Sequence, residues 1–113
     1  MTVTELVEKL PLTVVAGRGG LDGQVTGGYV SDLLSNVMGF ATAGSVWVTM
    51  QSHQNIVAVA ALAGLAAVIV SGGVQPEAET VAKAEAEGLP LLTTPLSSFT
   101  VVGQLYQLGV PAK

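Results

Sequence analysis

Apolar residues along this chain recur with two spacings, and each switch between them marks an element. Val3, Leu6, Val7 and Leu10 share one helical face until Pro11, and Thr2 followed three residues later by Glu5 is a capping-box pattern. A short amphipathic helix is predicted there. Leu12 to Ala16 has strand character, Gly17 to Gly23 is a glycine-rich turn, and Val25 to Val30 reads as a second strand interrupted by Gly27-Gly28. Ser31-Asp32 can cap a helix running to about Met38, with Gly39 ending it.

Further along, Val46-Trp47-Val48-Thr49-Met50 has strand composition, and Ser52 is placed to cap an Ala-rich helix closed by Gly64. Ala67 to Val70 is β-branched and stops at Ser71-Gly72-Gly73, as a strand does. Pro76 then opens a helix expected to turn Ala78, Val81, Ala82 and Ala86 inward. Glu79 and Lys83 form an i, i+4 pair on its outer face, and Gly88 closes it. Leu89 to Thr93 is a further strand. Ser97 can cap a last helix with Val101, Val102, Leu105 and Tyr106 on its apolar side.

Three consecutive strand-then-helix units, beginning at Val46, Ala67 and Leu89, imply right-handed crossovers and parallel strands covered on both faces. A strand buried on both sides needs apolar residues at successive positions, and Val68-Ile69-Val70 does not alternate. The expected fold is one α/β domain over residues 1–113, three layers deep, with a mainly parallel central sheet.

Charge changes this picture in three ways. No Asp, Glu, Lys or Arg lies between Asp32 and Glu77, and Ile56 to Val70 is an unbroken apolar run. That run is shorter than the ~20 residues of a spanning helix and lacks basic flanks, so a buried helix followed by a central strand is expected, with no membrane insertion. A net charge of −4 with four Lys and Arg leaves no basic patch for phosphates, which excludes nucleic acid as a partner. Charged residues make up only 11% of the chain, against about 25% in ordinary domains. With Met38, Phe40, Trp47 and Met50 near a glycine-rich stretch, this is more apolar surface than a small monomer needs, and a homodimer would hide it. The absence of cysteine removes disulfides and thiolate chemistry and fits a reducing cytoplasm, the expected location; no basic segment precedes an apolar stretch at the N-terminus.

In open α/β sheets, ligands bind beyond the carboxyl ends of strands. Three such places exist. Gln51-Ser52-His53-Gln54-Asn55 carries the only histidine, and free N–H groups at the start of its helix would favour an anion. The plainer reading is that Ser52 caps the helix and His53 is solvated. Ser71-Gly72-Gly73 would let backbone approach a ligand or adopt positive φ, although Glu77 and Glu79 oppose a phosphate there. Asp32, in Ser31-Asp32, is a cap or a ligand contact. Gly17-Arg18-Gly19-Gly20-Leu21-Asp22-Gly23 lacks the glycine spacing of a dinucleotide loop and the Gly-Lys-Ser/Thr of a P-loop, so it reads as a turn. No second histidine, cysteine or paired central carboxylates accompany His53, so neither a metal site nor a cofactor is expected.

Gly28-Tyr29-Val30-Ser31-Asp32-Leu33-Leu34-Ser35, Asn55 to Ala60, Val68-Ile69-Val70-Ser71-Gly72-Gly73 and Gly88-Leu89-Pro90-Leu91-Leu92 together resemble the DRTGG domain family over about residues 25–108. The resemblance implies an α/β domain like the N-terminal domain of HPr kinase/phosphorylase, serving as a regulatory or dimerising module. Such domains occur beside CBS domains, within phosphotransacetylases and near iron-only hydrogenases, which implies a CBS-domain, phosphotransfer or hydrogenase-related partner. The family's Asp-Arg falls on Ser52-His53, its Thr on Ser71 and its Gly-Gly on Gly72-Gly73. Losing the Arg removes a bidentate anion contact, leaving His53 as a hydrogen-bond donor. The expected function is a non-catalytic, self-associating regulatory or assembly domain. The alternatives are a sensor of a nucleotide or phosphorylated metabolite at loops 51–55 and 71–75, and phosphoryl transfer through His53.

Overall fold

The β-branched runs form strands and the alanine-rich ones helices. In the computed structural model, which describes residues 1–112, the order is α1 (Val3–Lys9), β1 (Thr13–Ala16), a 3-10 turn (Arg18–Gly20), β2 (Gly27–Val30), α2 (Leu34–Phe40), β3 (Ser45–Thr49), α3 (Asn55–Ala63), β4 (Ala67–Val70), α4 (Ala78–Glu87), β5 (Leu91–Thr93) and α5 (Ser98–Gln107). The five strands lie in the order β1-β5-β4-β3-β2. From β2 to β5 all neighbours are parallel, and β1 runs antiparallel to β5. β2 begins at Gly27 rather than Val25, because the N–H groups of Val25 and Thr26 donate to Met1 and Gly44 outside the sheet.

Two apolar layers flank the sheet. Trp47, Val68, Val70 and Leu91 face α2, α3 and α4, meeting Val37, Ile56, Val57, Ala60 and Ala84. Val46, Val48, Ala67, Ile69 and Leu92 face α1 and α5, meeting Val3, Leu6, Val101 and Leu105. The chain is thus a three-layer α/β domain with a mainly parallel sheet. β3 and β4 are buried at every position, the outcome the non-alternating Val68-Ile69-Val70 requires. The apolar run from Ile56 is divided at Gly64, whose φ of 69° ends α3 before β4 begins. No helix among the described residues is long and apolar enough to cross a membrane.

Several local expectations hold. Thr2 and Glu5 form the reciprocal capping box, Ser97 accepts from the N–H of Thr100, and Gly88 closes α4 in the left-handed conformation. Others change. Thr80 and Ala84 are the buried residues of α4, whereas Ala78, Ala82 and Ala86 are exposed. The Thr80 hydroxyl donates to the Ser52 carbonyl, which satisfies that polar group on the buried face of the helix. Tyr106 points outward at 74% exposure. Trp47, expected among the surface apolar residues, is wholly buried and donates its indole N–H to the Ser31 carbonyl at 2.8 Å. Gly39 lies within α2, which runs on to Phe40.

Candidate functional site

Because β2 to β5 run parallel, their carboxyl ends share one sheet edge. Val30 sits opposite Val48, Thr49 opposite Val70, and Val70 opposite Thr93. The loops after these strands therefore leave side by side, which brings Asp32, Ser52, His53, Ser71, Gly72 and Gly73 to the same edge. Their contacts decide what that edge can do.

Asp32 does not cap α2, whose N-cap position is Leu33 without a side-chain bond. Its Oδ1 accepts instead from the Thr49 hydroxyl at 2.8 Å and from the Met50 N–H at 2.7 Å, and its carbonyl accepts from the Gln51 side-chain amide at 3.0 Å. The carboxylate ties the β2 end to the β3 end. Ser31 Oγ serves the local turn by accepting from the N–H of Leu33.

Ser52 does not cap α3 either. Its carbonyl accepts from the Thr80 hydroxyl at 2.7 Å and the Glu77 N–H at 3.1 Å, which docks this loop against the start of α4. The N-cap position is Gln54, which makes no side-chain bond, and Nδ1 of exposed His53 just before it accepts from the N–H of Asn55 at 3.1 Å. In the neutral ring that bond places the proton on Nε2. The N–H groups of Ile56 and Val57 donate to the carbonyls of His53 and Gln54. The first turn of α3 therefore spends inside the loop the N–H groups expected to await an anion.

Ser71 is fully buried. Its N–H extends the sheet by donating to the Thr49 carbonyl, and its Oγ lies 2.6 Å from Ser98 Oγ and 3.4 Å from that same carbonyl. Gly72 and Gly73 have φ of 72° and 74°, a region that side-chain-bearing residues rarely adopt. Their N–H groups donate to Leu96 at 2.7 Å and Thr94 at 3.0 Å, so the pair stitches the β4 loop to the β5 loop.

Sequence reasoning missed Thr49 and Ser98. Together with Asp32 and Ser71 they form a row along the edge, in which the Thr49 hydroxyl donates to the Asp32 carboxylate and the Thr49 carbonyl accepts from Ser71 of the Ser71–Ser98 pair. The available signal was a hydroxyl residue at or just past the end of each of the last three strands: Thr49, Ser71 and Thr93-Thr94. Chemically the edge is a set of short polar groups that largely bond one another. An apolar groove of about 130 Å³ lies elsewhere, between β2, α5 and the segment Val110 to Ala112. A second groove, of about 420 Å³ and mixed polar and apolar lining, lies where α3 and α4 end.

No curated protein matches the chain. The DRTGG domain family matches residues 5–108, a span that takes in every strand and all six residues of the edge. On that match, the chain belongs to the DRTGG domain family.

Proposed function

We propose that this chain is a non-catalytic regulatory domain that works by self-association. The family is of regulatory type. The observation that carries the reading is the uneven distribution of charge. No Asp, Glu, Lys or Arg occurs from residue 33 to 76 or from 88 to 112, the stretches that build α2, β3, α3, β4, β5 and α5. Val30, Leu33, Met38, Phe40, Phe99 and Tyr106 are large, apolar and exposed, and they lie on β2 and on the helices that flank it or in the adjoining turn. A neutral apolar flank on a chain of net charge −4 is where two copies can approach without repulsion. The charged flank, bearing α1 and α4, stays outward to meet a CBS-domain, phosphotransfer or hydrogenase-related protein.

Light scattering after gel filtration tests this reading. The expected mass at micromolar concentration is twice the 11.4 kDa of the chain. A single species at the monomer mass up to 100-fold higher concentration would overturn it.

A sensor reading is favoured by one observation, the row joining Asp32, Thr49, Ser71 and Ser98 at the edge where α/β folds bind ligands. ATP, AMP and inorganic phosphate would each be tested for a shift in melting temperature. A shift lost in His53→Ala supports this reading, and no shift from any of the three removes it.

A further inference from the structure

Gly103, like Gly39 in α2, meets no steric or conformational requirement for glycine within one copy of the chain. It lies in the interior of α5, where glycine is among the poorest helix formers. Its φ is not left-handed, and a Cβ built there would meet no atom within 4 Å. Close approach of something outside the chain would account for it. The neighbours on its face are Phe99, Val102 and Tyr106, at the i, i+3 and i+7 spacing of one helical stripe. Phe99 is 90% exposed and Tyr106 74%.

Resting on the self-association reading, we propose that two copies pair through α5, with the helices antiparallel about a two-fold axis between Val102 and Gly103. That axis interchanges positions 99 and 106. Phe99 of each copy then packs beside Tyr106 of the other, over the apolar groove walled by Val30, Val48, Val102 and Val110. The contact is self-complementary, as a two-fold interface must be. Gly103 lets the two backbones cross closely.

Several features favour a second copy over other occupants. From Gly88 to Ala112 the chain carries no charge, so among the described residues the α5 stripe itself has nothing to pair with an acidic or basic partner and no Lys or Arg to hold an anionic membrane. The two aromatic rings offer on the order of 300 Å². Val30, Val102 and Pro111 extend the patch around the groove, toward the ~800 Å² per partner of a standard interface.

Three measurements on the full chain decide the matter. The native chain has no cysteine, so Gly103→Cys under mild oxidation should give a disulfide-linked dimer on a non-reducing gel, while Ala61→Cys, exposed on α3 on the opposite face of the sheet, should not. Phe99→Asp should shift the mass in solution from dimer to monomer with an unchanged circular dichroism spectrum. Phe40→Asp, on α2, should remain dimeric. A dimeric native chain whose mass survives Phe99→Asp but falls with Phe40→Asp overturns the α5 pairing and leaves self-association standing. A monomeric native chain overturns both.

Discussion

Replacing Gly17 by alanine should be among the most damaging single-methyl changes this fold can suffer. Gly17 has φ of 77°, and a Cβ added there would lie 1.9 Å from the carbonyl oxygen of Leu89 and 2.2 Å from its carbon. Both are backbone atoms at the entry to β5, so neither can swing aside. The left-handed conformation costs a side-chain-bearing residue about 1–2 kcal/mol, and forced overpacking typically adds about 1–3 kcal/mol. Gly17→Ala should therefore lose about 2–5 kcal/mol, and at ~4–8 °C per kcal/mol its melting temperature should drop by at least roughly 8 °C. Two residues on, Gly19 has no atom within 4 Å of its Cβ position and no left-handed φ. Gly19→Ala should be neutral or stabilise by about 0.4–1 kcal/mol through the unfolded state. Urea titration followed by the fluorescence of Trp47, the single buried tryptophan, measures both. Two variants within ~1 kcal/mol of each other would refute the steric argument.

Other substitutions probe separate contacts. Ser45 is buried with its hydroxyl unpartnered, so Ser45→Ala should raise stability by about 0.5–1.5 kcal/mol in the same titration, and a loss would reveal a partner for the hydroxyl. Asp32→Ala removes the acceptor shared by Thr49 and Met50 and should cost about 1–2 kcal/mol; an effect near zero would mean that water replaces the carboxylate. The Thr2 N–H bonded to Glu5 holds that carboxyl below its ordinary 4.5, helped by the N-terminal charge. A depressed folded-state value stabilises the native state above the unfolded value, and this contribution fades as pH falls through the folded one. Carboxyl NMR should place the Glu5 midpoint below 4.5, and Glu5→Gln should remove that part of the acid sensitivity.

The sequence revealed most where local chemistry and burial agree. Val68-Ile69-Val70 could only be a strand covered on both sides, and Gly64 and Gly88 end helices because the left-handed turn suits glycine. It revealed least where alanine blurs the contrast between faces. In α4 the inward side is set by Thr80, a polar residue whose burial depends on the Ser52 carbonyl 28 residues away. Trp47 was expected at the surface, and its burial depends on the Ser31 carbonyl that receives its N–H. At the candidate site, topology placed the loops correctly, but the partners of Asp32, Ser52 and Gly72 all lie on other strands, loops or helices. No local pattern shows that Ser52 will leave α3 uncapped and that the Asn55 N–H will bond the next residue, His53, instead.

The one antiparallel pairing in the sheet also bears on how the chain is made. Val14 of β1 sits beside Leu92 of β5, roughly 80 residues later, and the Gly17 N–H waits for the carboxylate of Glu85. At ~5–20 residues per second, a ribosome needs on the order of 4–16 s to supply that partner strand. Throughout that interval β1 is out of the tunnel with no neighbour, while β2, β3 and β4 emerge in an order that lets each pair with the one before. The nascent sheet therefore grows from the β2 side, and the first strand synthesised is the last to dock.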